Sequence, residues 1–316
     1  MKMGLQRRHS GEDRKTNSPG AARSALRFNQ GDYPFWWLCP VAILLAVFYV
    51  YPVLEVLRTS FTDATLLDTS YRYTLGSYRS ILADPALLQI LEATFVFVAG
   101  SVIGQTALGL LTALALQAGL KRHLFGVRVV RVTVLATWVV PSVASAIAWQ
   151  LLLSEADFGL FNAMLRFTSL PPVPWLSEPW MAVQSATVAN IWYGTALSVI
   201  LLYAGLQTIS PTLYEAAAVD GATTSQTFWH ITLPGLRPTL LINIIIVSVL
   251  SLNTFEIVMP LTGGGPGRST EVLALAAYNM VFHDFNLAQG SVLAVLMLLI
   301  NLAVATTVWL LFRGSR

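Results

Sequence analysis

Six stretches of this chain are long, apolar and almost free of charge, and no other feature restricts its fold as strongly. They run from about Phe35 to Leu54, Ala93 to Ala118, Val132 to Leu153, Met181 to Leu206, Thr239 to about Leu261, and Ala288 to Phe312. A bilayer core about 30 Å thick takes roughly 20 apolar residues as a helix. Each stretch therefore has the length of one crossing. Of the 316 residues 55% are hydrophobic and 11% charged, against about 25% charged in a soluble domain. That leaves too little polar surface for a water-soluble chain, and it excludes disordered, coiled-coil and disulfide-rich secreted classes. Every backbone polar group inside lipid needs a partner within the protein, so crossings are helices or closed barrels. Barrel strands alternate over about ten residues. The run VLAVLMLLINLAVATTVWLLF does not alternate. The expectation is an all-α integral membrane bundle of six transmembrane helices.

Orientation follows from the basic residues. Fourteen of the 19 Lys and Arg lie in the N-terminal tail, the second and fourth loops and the C-terminus. The other five are Arg58, Arg72, Arg79, Arg166 and Arg268. Both termini are expected in the cytoplasm, and the first stretch is expected to remain as an anchor because no small-residue cleavage site follows it. Residues 1–30 read as a flexible basic cytoplasmic tail at an anionic membrane surface, with no nucleic-acid role. Residues 31–316 form the six-span domain. One cysteine, Cys39, allows no internal disulfide and no cysteine metal cluster. The four histidines, His9, His123, His230 and His283, are scattered, so no metal site is expected.

The loop over about 207–236 carries the strongest pattern. From Leu213 it reads LYEAAAVDGATTSQTFWHITLPGL. Tyr214–Val219 favours a short helix. Asp220-Gly221 offers a turn, because glycine accepts positive φ at no steric cost. Thr223, Thr224 or Ser225 caps a second short helix, which Pro234 is expected to end before the fifth crossing. Glu215-Ala216-Ala217, Gly221, Ile231 and Leu233-Pro234 fill every fixed position of the pattern EAA-x3-G-x9-I-x-LP. The loop thereby resembles the EAA loop of bacterial ABC-importer permeases. Asp220 and Ala222 flank the glycine as in the sugar-importer branch. A second segment, Leu261-Thr262-Gly263-Gly264-Gly265-Pro266 with Ser269-Thr270, Tyr278 and Phe282, resembles carbohydrate-importer permeases of the maltose and glycerol-phosphate type.

The resemblance implies one permease subunit of an ATP-driven importer in the bacterial inner membrane, taking a carbohydrate or related polar solute by alternating access. It implies three kinds of partner beside membrane lipid and solute: a second homologous permease, two cytoplasmic ATPase subunits that bind ATP and Mg, and an extracytoplasmic solute-binding protein. This chain would hold no cofactor and would not be an enzyme. Glu215, Ala216, Ala217, Asp220, Gly221, Ala222 and Pro234 would couple it to the ATPase. The outer loops, 59–89, 154–180 and 263–287, would receive the binding protein.

GGGPGRST is no phosphate loop, because it lacks the lysine and the spacing of one. Polar residues inside crossings are costly and face a cavity or another helix. Those in this chain include Gln105, Ser142, Ser145, Asn243, Asn190 and Trp192-Tyr193, and Trp149-Gln150. Asn253 and Glu256 are spaced i, i+3 and are expected on one helix face. Amides and a carboxylate beside aromatic platforms suit sugar hydroxyls and ring faces. Glu256, Asn253, Asn190, Trp192, Tyr193, Trp149 and Gln150 are the candidate pathway residues. The alternative is cement between helices or, for the function as a whole, a motor-independent secondary transporter or channel.

Overall fold

The computed structural model describes residues 35–68 and 70–313, so the basic tail at 1–30 lies outside the described residues. The chain divides into two units, residues 1–52 and 53–316. Among the described residues every regular element is helical, with one isolated antiparallel bridge between Thr62 and Tyr73.

In the first unit α1 (Phe35–Leu45) runs into a π-helical turn, Ala46–Val50, and α2 (Tyr51–Ser60) follows it into the second. Leu38–Ser60 is continuous and apolar enough to cross a membrane. The π turn stands just before Pro52. Tyr51 N–H bonds Ala46 O, five residues back, so the widened turn absorbs the donor that proline lacks.

The second unit continues with α3 (Gly76–Ala83), α4 (Ala86–Lys121), α5 (Val127–Thr137), α6 (Ser142–Leu152), α7 (Leu160–Phe167), α8 (Pro179–Thr208), α9 (Pro211–Val219), α10 (Thr224–Thr227), α11 (Leu233–Asn253), α12 (Val258–Thr262), α13 (Leu273–Phe282) and α14 (Leu287–Arg313). Helices α4, α8 and α14 each have the length of a crossing, as does the continuous run Thr224–Asn253. The all-α membrane bundle expected from sequence is the fold observed.

Two crossings depart from expectation. The third is not one helix over Val132–Leu153: α5 and α6 meet at a bend of 104°. Pro141 has no N–H to offer and drives Val140 out of the helical region. Each half, 11 residues long, reaches only about 16 Å, half a bilayer core. The fifth begins earlier and ends earlier than Thr239–Leu261. Pro234 does not end the helix that precedes it. A second π turn, Phe228–Thr232, places Leu233 N–H on Phe228 O, the same relief seen before Pro52, and the helix runs on. It stops at Asn253, where Thr254 turns extended with ψ 118°. The Asn253 amide returns to Val249 O and the Thr254 hydroxyl to Leu250 O at 2.7 Å each, the second closing a carbonyl the helix end leaves open.

Helices α4 and α8 lie along one another through small residues. A Cβ on Gly100, Gly104 or Gly109 would stand 2.7, 2.4 and 2.4 Å from Thr187, Ile191 and Ser198. Close backbone approach of this kind supplies packing where lipid removes the hydrophobic drive between helices. Buried amides add to it: Asn190 donates to Ser101 Oγ at 2.8 Å and Ser251 Oγ at 3.3 Å, while Gln105 donates to Asn190 O at 3.1 Å. Two apolar cores flank this seam. One, with Phe97, Ile257, Leu273 and Leu293, gathers α12 and α13 under α14. The other, with Ala113, Leu202, Leu206 and Leu236, lies toward the EAA loop.

Candidate functional site

Helix α9 is the first half of the EAA loop, and its close is built locally. Gly221 sits at φ +71°, a region that costs other L-residues roughly 1–2 kcal/mol. With the chain turned there, Ala222 N–H reaches Ala217 O at 2.9 Å and Gly221 N–H reaches Ala218 O at 3.2 Å. Those two bonds are the Schellman close of a helix. Thr223 then caps α10: its hydroxyl accepts from Gln226 N, and Gln226 returns to Thr223 N at 2.8 Å. This capping box satisfies the first donors of the next helix reciprocally.

The loop is held against the bundle on one side. Tyr214 packs with Ile231 in the second core, its hydroxyl lies 3.2 Å from Thr232 Oγ1, and Lys121 Nζ stands 5.1 Å from the centre of its ring. Ala217 is buried. The opposite side is open: Glu215, Ala216, Asp220 and Pro234 are exposed, with Leu213 and Val219 beside them, Val219 at 88%. Ala222 is half-buried. The candidate coupling residues therefore divide. Ala217 anchors the helix, Gly221 shapes its turn, and Glu215 with Ala216 and Asp220 faces outward.

Five of the seven candidate pathway residues come together where the broken third crossing meets the end of the fifth. Helix α6 packs on α12, and Gln150 donates to Leu261 O at 3.4 Å. Trp149 meets Trp192 edge-on at 6.1 Å and stacks on Phe161 at 6.1 Å. Tyr193 stacks on Trp138 at 5.9 Å. Glu256 is exposed and accepts a hydrogen bond from Ser142 Oγ. Its carboxylate thus lies at the N-terminus of α6, where the helix dipole favours negative charge. Glu256 and Asn253 do not share a helix face, contrary to expectation, because α11 ends between them. Asn190 stands apart from this group, enclosed by Ser101, Gln105 and Ser251. An exposed carboxylate at the start of α6 and the aromatic rings packed on Trp149 further along that helix together combine the polar and apolar surfaces that suit a polyhydroxylated solute.

Ser142 was legible only as one of several polar residues in a crossing, and Trp138 carried no signal beyond its place ahead of Pro141. Helix α13 was read as part of a loop. Its ten-residue apolar run is too short to cross and is the length of a buried core helix.

The glycine segment at 263–270 folds on itself. Gly264 adopts φ +90°, the Thr262 and Thr270 hydroxyls lie 2.7 Å apart, and Thr270 Oγ1 donates to Gly265 O at 2.8 Å. Buried Glu271 closes it, paired with Arg268 and accepting from Asn279 Nδ2 at 3.0 Å. The segment is an internally bonded connector.

Residues 105–313 match the protein family described as the binding-protein-dependent transport system inner membrane component. The trehalose/maltose transport system permease protein MalF of Thermococcus litoralis is 35% identical over 257 residues, covering 81% of this chain and 85% of that protein. The sulfoquinovosyl glycerol transport system permease protein SmoG of Agrobacterium fabrum is 32% identical, covering 91% and 97%. In fold, a chain of a bacterial ABC transporter involved in the import of the acidic polysaccharide alginate superposes with a TM-score of 0.75 at 20% identity, over 89% of this chain and 95% of that one.

Proposed function

This chain belongs to the family of binding-protein-dependent transport system inner membrane components, and from that premise we propose that it is one permease of an ATP-driven importer for a carbohydrate or related polar solute. It is a multi-pass inner-membrane protein. Its partners are a second, homologous permease, two cytoplasmic ATPase subunits that bind ATP and Mg, and an extracytoplasmic solute-binding protein. Both termini face the cytoplasm, with the EAA loop on the same side.

The observation that carries this reading is the EAA loop: a short helix clamped to the bundle through Tyr214 and Ala217 while Glu215, Leu213 and Val219 stay open. A motor that closes on ATP moves a membrane bundle only through an element too stiff to deform. The Schellman close, the capping box and the continuous helix through Asn253 make this loop such an element. The same helix ends at the Glu256 link, so a pull on the loop acts along Thr224–Asn253 toward the aromatic face. Two states that differ by a few kcal/mol suffice for ATP and solute to exchange their populations. Solute passes between the two permeases, with Glu256, Trp192 and Trp149 presented to it.

The test is purification of the chain in mild detergent with mass spectrometry of what accompanies it, followed by ATPase assays. Recovery of a second permease and an ATPase, with solute-stimulated turnover reduced by Glu215→Ala, is the expected result. A homo-oligomer that transports without any ATPase would replace the reading with a motor-independent transporter.

A further inference from the structure

The starts of α4 and α8 and the glycine segment meet at a single cavity of about 250 Å3. Gln89 and Glu92 reach it from the first turns of α4, Glu178 and Trp180 from the start of α8, and Ser269 from the glycine segment. Gln89 Nε2 donates to Gly267 O at 3.1 Å, tying two of the segments together. Glu178 Oε2 accepts from Met181 N at 2.7 Å and so caps α8. Neither Glu92 nor Glu178 has an ion-pair partner among the described residues. Ser269, only 9% exposed, has a hydroxyl with no hydrogen-bond partner, although buried hydroxyls are ordinarily bonded. Trp180 is 57% exposed at the rim.

Two unpaired carboxylates, an orphaned hydroxyl and an open indole face are complementary to a cation that carries several N–H donors. Among the described residues no group of three or more acidic, His or Cys side chains is placed to hold a metal ion, so a bare divalent cation is poorly served. A guanidinium or ammonium is served on every side: charge-assisted bonds to the carboxylates, a donor for Ser269, and cation–π contact with Trp180. Arginine fits best, since its planar fork both stacks and bonds in pairs.

We propose that this cavity receives an arginine or lysine side chain of the solute-binding protein and so fixes where that protein docks. The proposal rests on the importer reading, which puts these three segments on the extracytoplasmic side. Its content is the chemistry of the contact: acidic and aromatic on the permease, basic on the partner.

The test uses the complete importer in nanodiscs and the solute-binding protein recovered with it. The quantity read is the binding-protein concentration that half-saturates ATPase stimulation, at about 50 and about 300 mM salt, which changes the screening of exposed charges. Combined Glu92→Gln and Glu178→Gln should raise that concentration about tenfold or more at low salt, less at high salt, with the shift in half-saturation and not in maximal rate. Glutamine keeps an oxygen for Met181 N, so the α8 cap survives. If the double variant does not assemble, Glu92→Gln alone carries the test, since Glu92 caps nothing, and Glu92→Lys should weaken docking further. Glu55→Gln, a partly exposed acid outside both the cavity and the three outer loops, should leave half-saturation unchanged. An unchanged value in the Glu92 and Glu178 variants, or an equal shift with Glu55→Gln, overturns the proposal. A wild-type complex whose ATPase ignores the binding protein overturns the importer reading instead, and the cavity loses its occupant with it.

Discussion

Ser142 donates a hydrogen bond to the Glu256 carboxylate, joining the second half of the broken third crossing to the link that ends the fifth. The two residues are 114 positions apart, and each stands where a proline or a helix end has interrupted a crossing. Irregular backbone within membrane depth is tolerated where it is covered by protein or lines a polar space. Here two interruptions face each other, and each supplies the other with a polar partner.

Removing this pair should change transport before it changes folding. Glu256 is exposed, so Glu256→Ala leaves no buried orphan. We expect uptake KM to rise about five- to tenfold, on the order of the 1 kcal/mol net worth of one hydrogen bond, with the melting temperature in detergent shifted little. Ser142→Ala should give a smaller change in the same direction. Saturation kinetics in proteoliposomes check both, and an unchanged KM with Glu256→Ala removes Glu256 from the pathway.

At Gly221 the backbone conformation separates two substitutions of similar size. Asparagine tolerates positive φ far better than a β-branched residue. Gly221→Val should therefore uncouple ATP hydrolysis from uptake more severely than Gly221→Asn, because it opens the Schellman close that holds α9 rigid. The ratio of solute transported to ATP hydrolysed is the measurement.

The seam between α4 and α8 should tolerate no added methyl group where Gly109 meets the backbone of α8. A Cβ on Gly109 would stand 2.4 Å from Ser198 Cβ and 3.1 Å from a backbone carbon, so the obstruction is not a flexible side-chain end. Gly109→Ala should destabilise the bundle by about 1–3 kcal/mol, the usual range for overpacking. Adding Ser198→Gly should recover part of the loss. Thermal unfolding of the single and double variants in the same micelle gives both figures.

Glu155 gives a pH signature outside the membrane-spanning segments. Burial pushes its carboxyl upward, but bonds from Leu176 N, Ser177 Oγ and Ser177 N outweigh that and hold it below the ordinary 4.5. A carboxyl lowered on folding adds stability above its unfolded pKa and loses it as pH falls through the folded one. The melting-temperature gap between wild type and Glu155→Gln should therefore be full near pH 7 and shrink steadily below about pH 4.

Membrane residence, the all-helical bundle and the turn at Gly221 were all legible from residues a few positions apart. Hydropathy is a sum over one stretch, and a left-handed turn needs only glycine at the bend. The capping of α10 was legible only as a choice among Thr223, Thr224 and Ser225, and the structure settles it on Thr223, which bonds Gln226 three positions on. The outward side of the EAA loop was not legible. Ala216 and Ala217 are adjacent alanines, and only the packing of this helix onto the second core, through Tyr214, makes one exposed and the other buried.

The prolines mark the limit of reading along the chain. Pro141 and Pro234 remove the same donor and impose the same φ, yet one bends its crossing by 104° and the other is absorbed by a π turn. The difference lies in neighbours distant in sequence: α6 has α12 and α8 to pack upon after the bend, while Leu236 is drawn on into the core beside Leu202 and Leu206. Asn190 and Glu256 divide in the same way. Both are polar residues within apolar stretches, and helix packing encloses the first among Ser101, Gln105 and Ser251 while leaving the second exposed beside Ser142. Composition and local backbone chemistry are properties of a short segment and can be read from it. Which of two like residues is enclosed, and which helix starts and loop share a cavity, depends on side chains some 90 to 180 positions apart meeting in space, and no segment contains that information.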